Sequence, residues 1–250
     1  MDVGQGDAAL IECDGHYMLI DGGDTFAGDK VYSVLEAQGI NKLDILVMSH
    51  LHSDHIGGLP KALTYISDIG CTLSNSKRSD TKVFRELEHE LYRMSGNGSK
   101  ITVPSIGDTY NLGSSTIEVI DVSSNAHNDS LVLLITYGDN RFVFSGDIEE
   151  SAQTSISDRY ENEQDKAFDV DLIKMPHHGA YTGTLYRFIR TFMPEYAIIS
   201  VGDNSYGHPQ KETLDLLDSK GLKAKTYRTD INGDIVVRSN GKELSVESTK

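Results

Sequence analysis

The segment Ser49-His50-Leu51-His52-Ser53-Asp54-His55 constrains this chain more than any other. It places four strong metal-binding side chains, in the order H-x-H-x-D-H, directly after the apolar run Ile45–Met48. A short apolar run of this kind reads as a buried strand. In extended backbone, residues i and i+2 point the same way, so His50 and His52 can grip one ion. A turn at Ser53 and a helix starting near Asp54 would throw Asp54 and His55 the other way, towards a second ion. Imidazole and carboxylate together suit Zn²⁺, Mn²⁺ or Fe²⁺. Gly57-Gly58, just afterwards, allows close backbone packing around such a site.

Other strand ends supply partners. Asp147 follows the apolar Phe142-Val143-Phe144 and a clearing glycine, Gly146. Its two oxygens could bridge two cations, although a lone aspartate there would serve equally as a helix N-cap. His177-His178-Gly179 closes the run Val170–Met175. One of these imidazoles could complete the second ion's shell while the other bonds to substrate or to a ligand; the sequence leaves open which does which. His208, before Pro209, is a looser candidate, since a histidine there is often a turn residue. His16 and His89 read as surface residues.

The rest of the chain is consistent with a mixed α/β sandwich. Ala8–Cys13 and Tyr17–Asp21 read as a hairpin around Asp14-Gly15-His16. Helical spacing covers Val31–Gln38, Thr81–Met94 and Gln210–Ser219. Strands are expected at Ser115–Val122, Ser130–Tyr137, Arg141–Ser145 and Ala197–Val201, with a last hairpin about Asn232-Gly233. Strands in two runs, each followed by helices, suggest two packed sheets with helices outside. With 250 residues and no Pro/Ser-rich linker, one domain over 1–250 is expected. The balance of 38 Asp+Glu against 23 Lys+Arg, a net charge of −15, leaves no basic field to hold nucleic acid passively. Two cysteines, Cys13 and Cys71, exclude a disulfide scaffold. No basic segment followed by an apolar run opens the chain, and no apolar stretch is long enough to span a bilayer. These features lead to the expectation of a cytoplasmic chain without membrane insertion.

These motifs resemble the metallo-β-lactamase superfamily, and most closely the β-lactamase-like domain of ComEC/Rec-type DNA-uptake (competence) proteins. The resemblance runs from Asp2-Val3-Gly4-Gln5-Gly6-Asp7 and Leu19–Gly23 through Ser49–Leu59 and Asn128–Leu133. It continues through Phe144–Asp147 and Lys174–Gly179 to Tyr206-Gly207-His208-Pro209 and Arg228-Thr229-Asp230. It implies an αββα sandwich of two mixed sheets with outer helices and two divalent ions, Zn or Mn, at one edge. His50 and His52 would hold one ion. Asp54 and His55, with His177 or His178, would hold the other, and Asp147 would bridge them. Asp21 would orient a ligand from beneath, while Asn128, Ser130, Asn204 and Tyr206 would support ligands or touch substrate. Asn128 stands where many superfamily hydrolases have a histidine, which implies one tight and one labile ion. The family usually has a strand leading into D-V-G-Q-G-D, whereas here the motif starts at residue 2, so the expectation is either a start that has been cut or a first sheet short by that strand.

Cations sharing a water lower its pKa and neutralise phosphoryl oxygens. The resemblance therefore implies a phosphodiesterase or nuclease, with Asp54, His178 and His208 in catalytic roles and His208 or a non-ligand histidine protonating the leaving alkoxide. The acidic surface favours a short or single-stranded DNA end over duplex. The competing readings are a small-ester hydrolase (phosphorylcholine-type, cyclic nucleotide, lactam or lactone) and a non-catalytic metal-binding domain.

Overall fold

A computed structural model describes residues 1–94, 100–123, 130–161 and 169–250. Strands β1 (Ala9–Cys13) and β2 (His16–Ile20) pair antiparallel. Their turn residues Asp14 and Gly15 both have positive φ, 54° and 78°, as a two-residue hairpin loop matching the sheet's twist requires. Helix α1 (Gly28–Gln38) stops at Gly39, which is left-handed at φ 70°. Strand β3 (Lys42–Met48) then lies parallel to β2. Two single-turn helices, α2 (Ser53–Ile56) and α3 (Leu59–Ala62), lead to β4 (Asp68–Ser74), α4 (Lys82–Arg93) and β5 (Ile101–Thr102). The first sheet has the order β1-β2-β3-β4-β5.

The second sheet begins with β6 (Thr109–Leu112), β7 (Ser115–Val122), β8 (Leu131–Tyr137) and β9 (Asn140–Phe144), all antiparallel. After α5 (Glu150–Glu161), strands β10 (Leu172–Lys174), β11 (Tyr196–Ile199) and β12 (Lys225–Arg228) continue it in parallel, with α6 (Tyr186–Phe192) and α7 (Lys211–Leu217) between them. Its order is β12-β11-β10-β9-β8-β7-β6. A short helix, α8 (Thr229–Asn232), and a separate hairpin, β13 (Ile235–Ser239) with β14 (Leu244–Ser248), follow.

Strand periodicity explains the layers. Along β3, Ile45 and Val47 join Met18, Ile20, Leu131, Leu133 and Ile135 in the core between the sheets. Their neighbours Leu46 and Met48 pack outwards on Val31, Leu35, Leu59 and Leu87 of the helices. The second sheet repeats this, with Val132, Leu134 and Val143 facing Phe188, Ile189 and Phe192. Strands buried on both faces read as continuous apolar runs, and the result is the αββα sandwich of mixed sheets. Among the described residues, no helix is long and apolar enough to cross a membrane. Cys13 and Cys71 are free thiols.

The first sheet ends at β1. Against that edge lies a cavity of about 780 Å³, lined by Leu10, Ile11, Leu133 and Val236 and reaching Asp7 and Lys174. One expected element is displaced. The last hairpin turns at Asn240-Gly241, where Asn240 accepts from the backbone of Lys242 and Glu243 at 3.0 and 2.8 Å. Asn232-Gly233 instead ends α8, with Asn232 accepting from Arg228 N at 2.9 Å. Both pairs offer a residue tolerant of positive φ, which serves helix ends and hairpins alike.

Candidate metal centre

Both sheets present the carboxyl ends of their parallel strands to the same edge, where α/β folds place their sites. Asp21 follows β2, and Ser49-His50 follows β3. Asp147 follows β9, and His177-His178 follows β10. The site therefore draws side chains from both sheets.

Asp147 Oδ2 is the hub. The Nε2 atoms of His55, His178, His50 and His177 lie 3.3, 3.7, 3.9 and 4.0 Å from it. Asp54 Oδ2 stands 3.3 Å from His178 Nε2. Donors on a tetrahedral Zn²⁺ lie about 2.0–2.1 Å from the ion, so neighbouring donors sit roughly 3.3 Å apart. One atom each from Asp54, His55, Asp147 and His178 falls within 4.8 Å of the others, a group that could hold an ion. His50 Nε2, His55 Nε2 and Asp147 Oδ1 are buried without a hydrogen-bond partner. Buried polar atoms left without a partner are costly unless something is bound there, and the residues fit a divalent cation. His50 and His52 lie beside this group, their rings 4.5 Å apart and edge to face.

Each buried imidazole is held from behind. His55 Nδ1 is 2.9 Å from Asp21 Oδ2, which also accepts from Ser49 Oγ at 2.6 Å. His178 Nδ1 donates to Ser200 O at 3.0 Å, and His50 Nδ1 is 3.3 Å from both Ser49 Oγ and Ser130 Oγ. Such contacts fix the tautomer that presents Nε2 to an ion. Ser130 Oγ also accepts from Asp147 N at 2.9 Å, so its hydroxyl braces two site residues. Gly146 makes the approach possible: at φ 53°, a Cβ there would lie 2.5 Å from Ser130 Cβ.

His177 and His178 are both left-handed, at φ 48° and 54°, a conformation costing non-glycine residues about 1–2 kcal/mol each. It turns the two rings apart. His178 goes inwards to Asp54 and Asp147; His177 stays at the open face, with Nδ1 3.6 Å from Glu149 and its ring 5.5 Å from that of His208. Asn204 spends its amide within its own loop. Its Nδ2 donates to Gly202 O and His208 O, and its Oδ1 accepts from Tyr206 N and His208 N. It thereby fixes His208, on which the exposed Tyr206 ring stacks at 5.6 Å. Asn128 lies outside the described residues. Sequence reasoning missed Ser49, Asp7 and Lys174 as parts of the site, although all three adjoin or belong to the motifs.

Burial and charge set the protonation of the metal-free site. Burial, with the charge of His55, holds His50 well below the ordinary histidine value. Burial also pushes His55 down, but Asp147 and Asp21 outweigh it and hold it well above that value. For His178, burial is likewise outweighed by Asp147, Asp54 and Asp7, which lift it to about 9. Burial raises Asp21, whereas His55 and His178 hold the buried Asp147 well below the carboxylate range.

A sign follows. Raised histidine values stabilise the metal-free fold below pH 6.5, the unfolded value, and this contribution fades as pH climbs towards 9. Metal affinity runs the opposite way, because Nε2 must be neutral to bind. Loading at pH 7 should release protons from His55 and His178, both held above the ordinary histidine value, and affinity should rise with pH, for His178 by up to roughly tenfold per pH unit below about 9. Calorimetry in buffers of different ionisation enthalpy checks this; release of less than one proton would contradict it.

A family model of the metallo-beta-lactamase superfamily matches residues 1–203. The chain is 28% identical to ComE operon protein 3 of Bacillus subtilis (strain 168) over 264 residues, which covers 95% of this chain and 32% of that protein. It is 26% identical to Competence protein ComA of Neisseria gonorrhoeae, over 93% of this chain and 30% of that one. The chain thus spans about a third of the length of these relatives. The metallo-beta-lactamase fold protein YhfI from Bacillus subtilis superposes with a TM-score of 0.55 at 12% identity, over 90% of this chain and 89% of that one.

Proposed function

The chain belongs to the metallo-beta-lactamase superfamily, and from that premise we propose that it is a metal-dependent phosphodiesterase acting on DNA or a related phosphodiester. The observation that carries the reading is the convergence of four imidazole Nε2 atoms on Asp147 Oδ2, with Asp54 alongside. The competence relatives support DNA as the substrate class. We assign Asp54, His55 and His178 to one ion, His50 and His52 to the other, and Asp147 to both, within one domain over 1–250.

Bound divalent ions supply Lewis acidity and lower the pKa of water towards neutrality. The chain's own residues do the rest. Asp7, Asp21, Asp54 and Asp147 bring four carboxylates to the site and its rear, against the ammonium of Lys174. With two divalent ions bound that balance becomes positive, which suits an anionic diester. His208 stands at the open face as proton donor to the leaving alkoxide. Burial, then His177 and His178, lowers its pKa, so it is neutral at pH 7 until an anionic substrate arrives to raise it. The exposed rings of Tyr206 and Tyr181 are surfaces on which bases stack.

The test is hydrolysis of bis(p-nitrophenyl) phosphate and of end-labelled single-stranded DNA by metal-stripped protein refilled with Zn²⁺ or Mn²⁺. An Asp54→Ala/His55→Ala double variant is the blank. Turnover of both substrates is expected, at least roughly a thousandfold above the blank. Turnover of the small ester alone would move the reading to a small-molecule hydrolase. No turnover at full metal content would leave a binding domain.

A further inference from the structure

Asp7 and Lys174 face each other behind the candidate metal centre. Lys174 ends β10 and is 8% exposed, and Asp7 is 6% exposed. Lys174 Nζ lies 2.6 Å from Asp7 Oδ2 and donates to Met175 O at 2.8 Å. It is thereby tied to the backbone two residues before His177. Asp7 belongs to the other half: its N–H donates to Asp54 O at 3.1 Å, and its own carbonyl accepts from Gly23 N at 2.7 Å. Asp7 Oδ1 stands 3.5 Å from His178 Nδ1 and is buried without a hydrogen-bond partner, while Oδ2 is 3.9 Å from His55 Nδ1.

We propose that Lys174 and Asp7 form a positioning pair that sets the distance between Asp54 and His178 across the two sheets. The pair would thereby govern affinity for the ion those two residues share. Three observations support it. The pair is buried, so its attraction is little screened. It joins the end of β10, four residues before His178, to Asp7, whose N–H is bonded to the backbone of Asp54 in α2. Asp7 approaches the rear nitrogens of both buried imidazoles of that group, at 3.5 Å from His178 Nδ1 and 3.9 Å from His55 Nδ1. Removing one partner leaves a buried charge uncompensated, which lets the carboxylate pull His178 off line. Changes behind a metal ligand typically cost 10–100-fold in affinity.

The inference rests on the metal reading above, and the experiment separates the two. Equilibrium dialysis with Zn²⁺ alone gives the number of ions and each Kd for the unaltered protein, Lys174→Met, Lys174→Arg and Asp7→Asn. If the unaltered protein binds no Zn²⁺, the metal reading fails and takes the inference with it. If it binds two ions, Lys174→Met and Asp7→Asn should each weaken one ion by roughly 10–100-fold and leave the other within about threefold. Lys174→Arg should restore most of the loss, and the double variant should add little to either single. Equal weakening of both ions, or of neither, would overturn the pair's role. Should the Lys174 variant not fold, Asp7→Asn reads the same quantity. Should both fail, Zn²⁺ must slow reductive methylation of Lys174 in the unaltered protein relative to exposed lysines; unchanged rates would count against the proposal.

Discussion

Asp147→Asn should abolish hydrolysis and weaken binding of both metal ions assigned to this carboxylate, with activity falling at least roughly a thousandfold. The asparagine keeps the shape and removes the charge. Asp147 Oδ2 is the point nearest to four imidazole nitrogens, and an amide there offers no anionic oxygen to bridge cations. The backbone should not move, because Asp147 N is held by Ser130 Oγ and the side chain is 2% exposed. The metal-free variant should therefore fold. His55 and His178 lose the partner whose charge holds them protonated, so metal titration should also release fewer protons than the unaltered protein does. Metal content by mass spectrometry, with turnover of the nitrophenyl diester, checks the result. Retention of both ions, or of a tenth of the activity, would remove Asp147 from the centre of the site.

Gly58→Ala should cost about 3 kcal/mol, the upper range for overpacking, and lower the midpoint of thermal unfolding by roughly 6–12 °C for a chain of this size. A Cβ at Gly58 would lie 2.1 Å from Gly22 O and 3.0 Å from Gly28 N. Both are backbone atoms, fixed by the Gly58 N to Gly23 O bond of 2.9 Å and by the start of α1. No flexible side-chain end can yield there. Gly39→Ala is the control, because its Cβ meets nothing within 4 Å and only the left-handed φ of 70° opposes it, at about 1–2 kcal/mol. Unfolding of the metal-free proteins separates packing from metal binding. A shift below 2 °C for Gly58→Ala would mean that the loop relaxes.

The site was readable where residue type and strand geometry alone decide it. H-x-H-x-D-H after an apolar strand placed His50, His55 and Asp54, and the glycine before Asp147 announced a tight approach. His177 and His178 could not be told apart, because two successive left-handed histidines are a tertiary imposition that local preference does not foreshadow. Ser130, expected to support a ligand or touch substrate, braces His50 and Asp147. Strand β4 went unread because Gly70 interrupts it. That glycine lets the strand pass Asp44, whose carbonyl would stand 2.6 Å from a Cβ. Asp7 and Lys174 carry no motif chemistry of their own, since a buried ion pair is visible only once both sheets are in place.

If the proposed ligands hold, neither sheet alone supplies a full set, and an ion held between them acts as a reversible cross-link obeying mass action. On the proposed assignment, free metal at a hundred times its dissociation constant adds about 2.7 kcal/mol for each such ion. Thermal resistance then becomes a reading of the surrounding metal concentration. A chelator-treated preparation differs from a loaded one in how readily the two halves part, before any substrate is present.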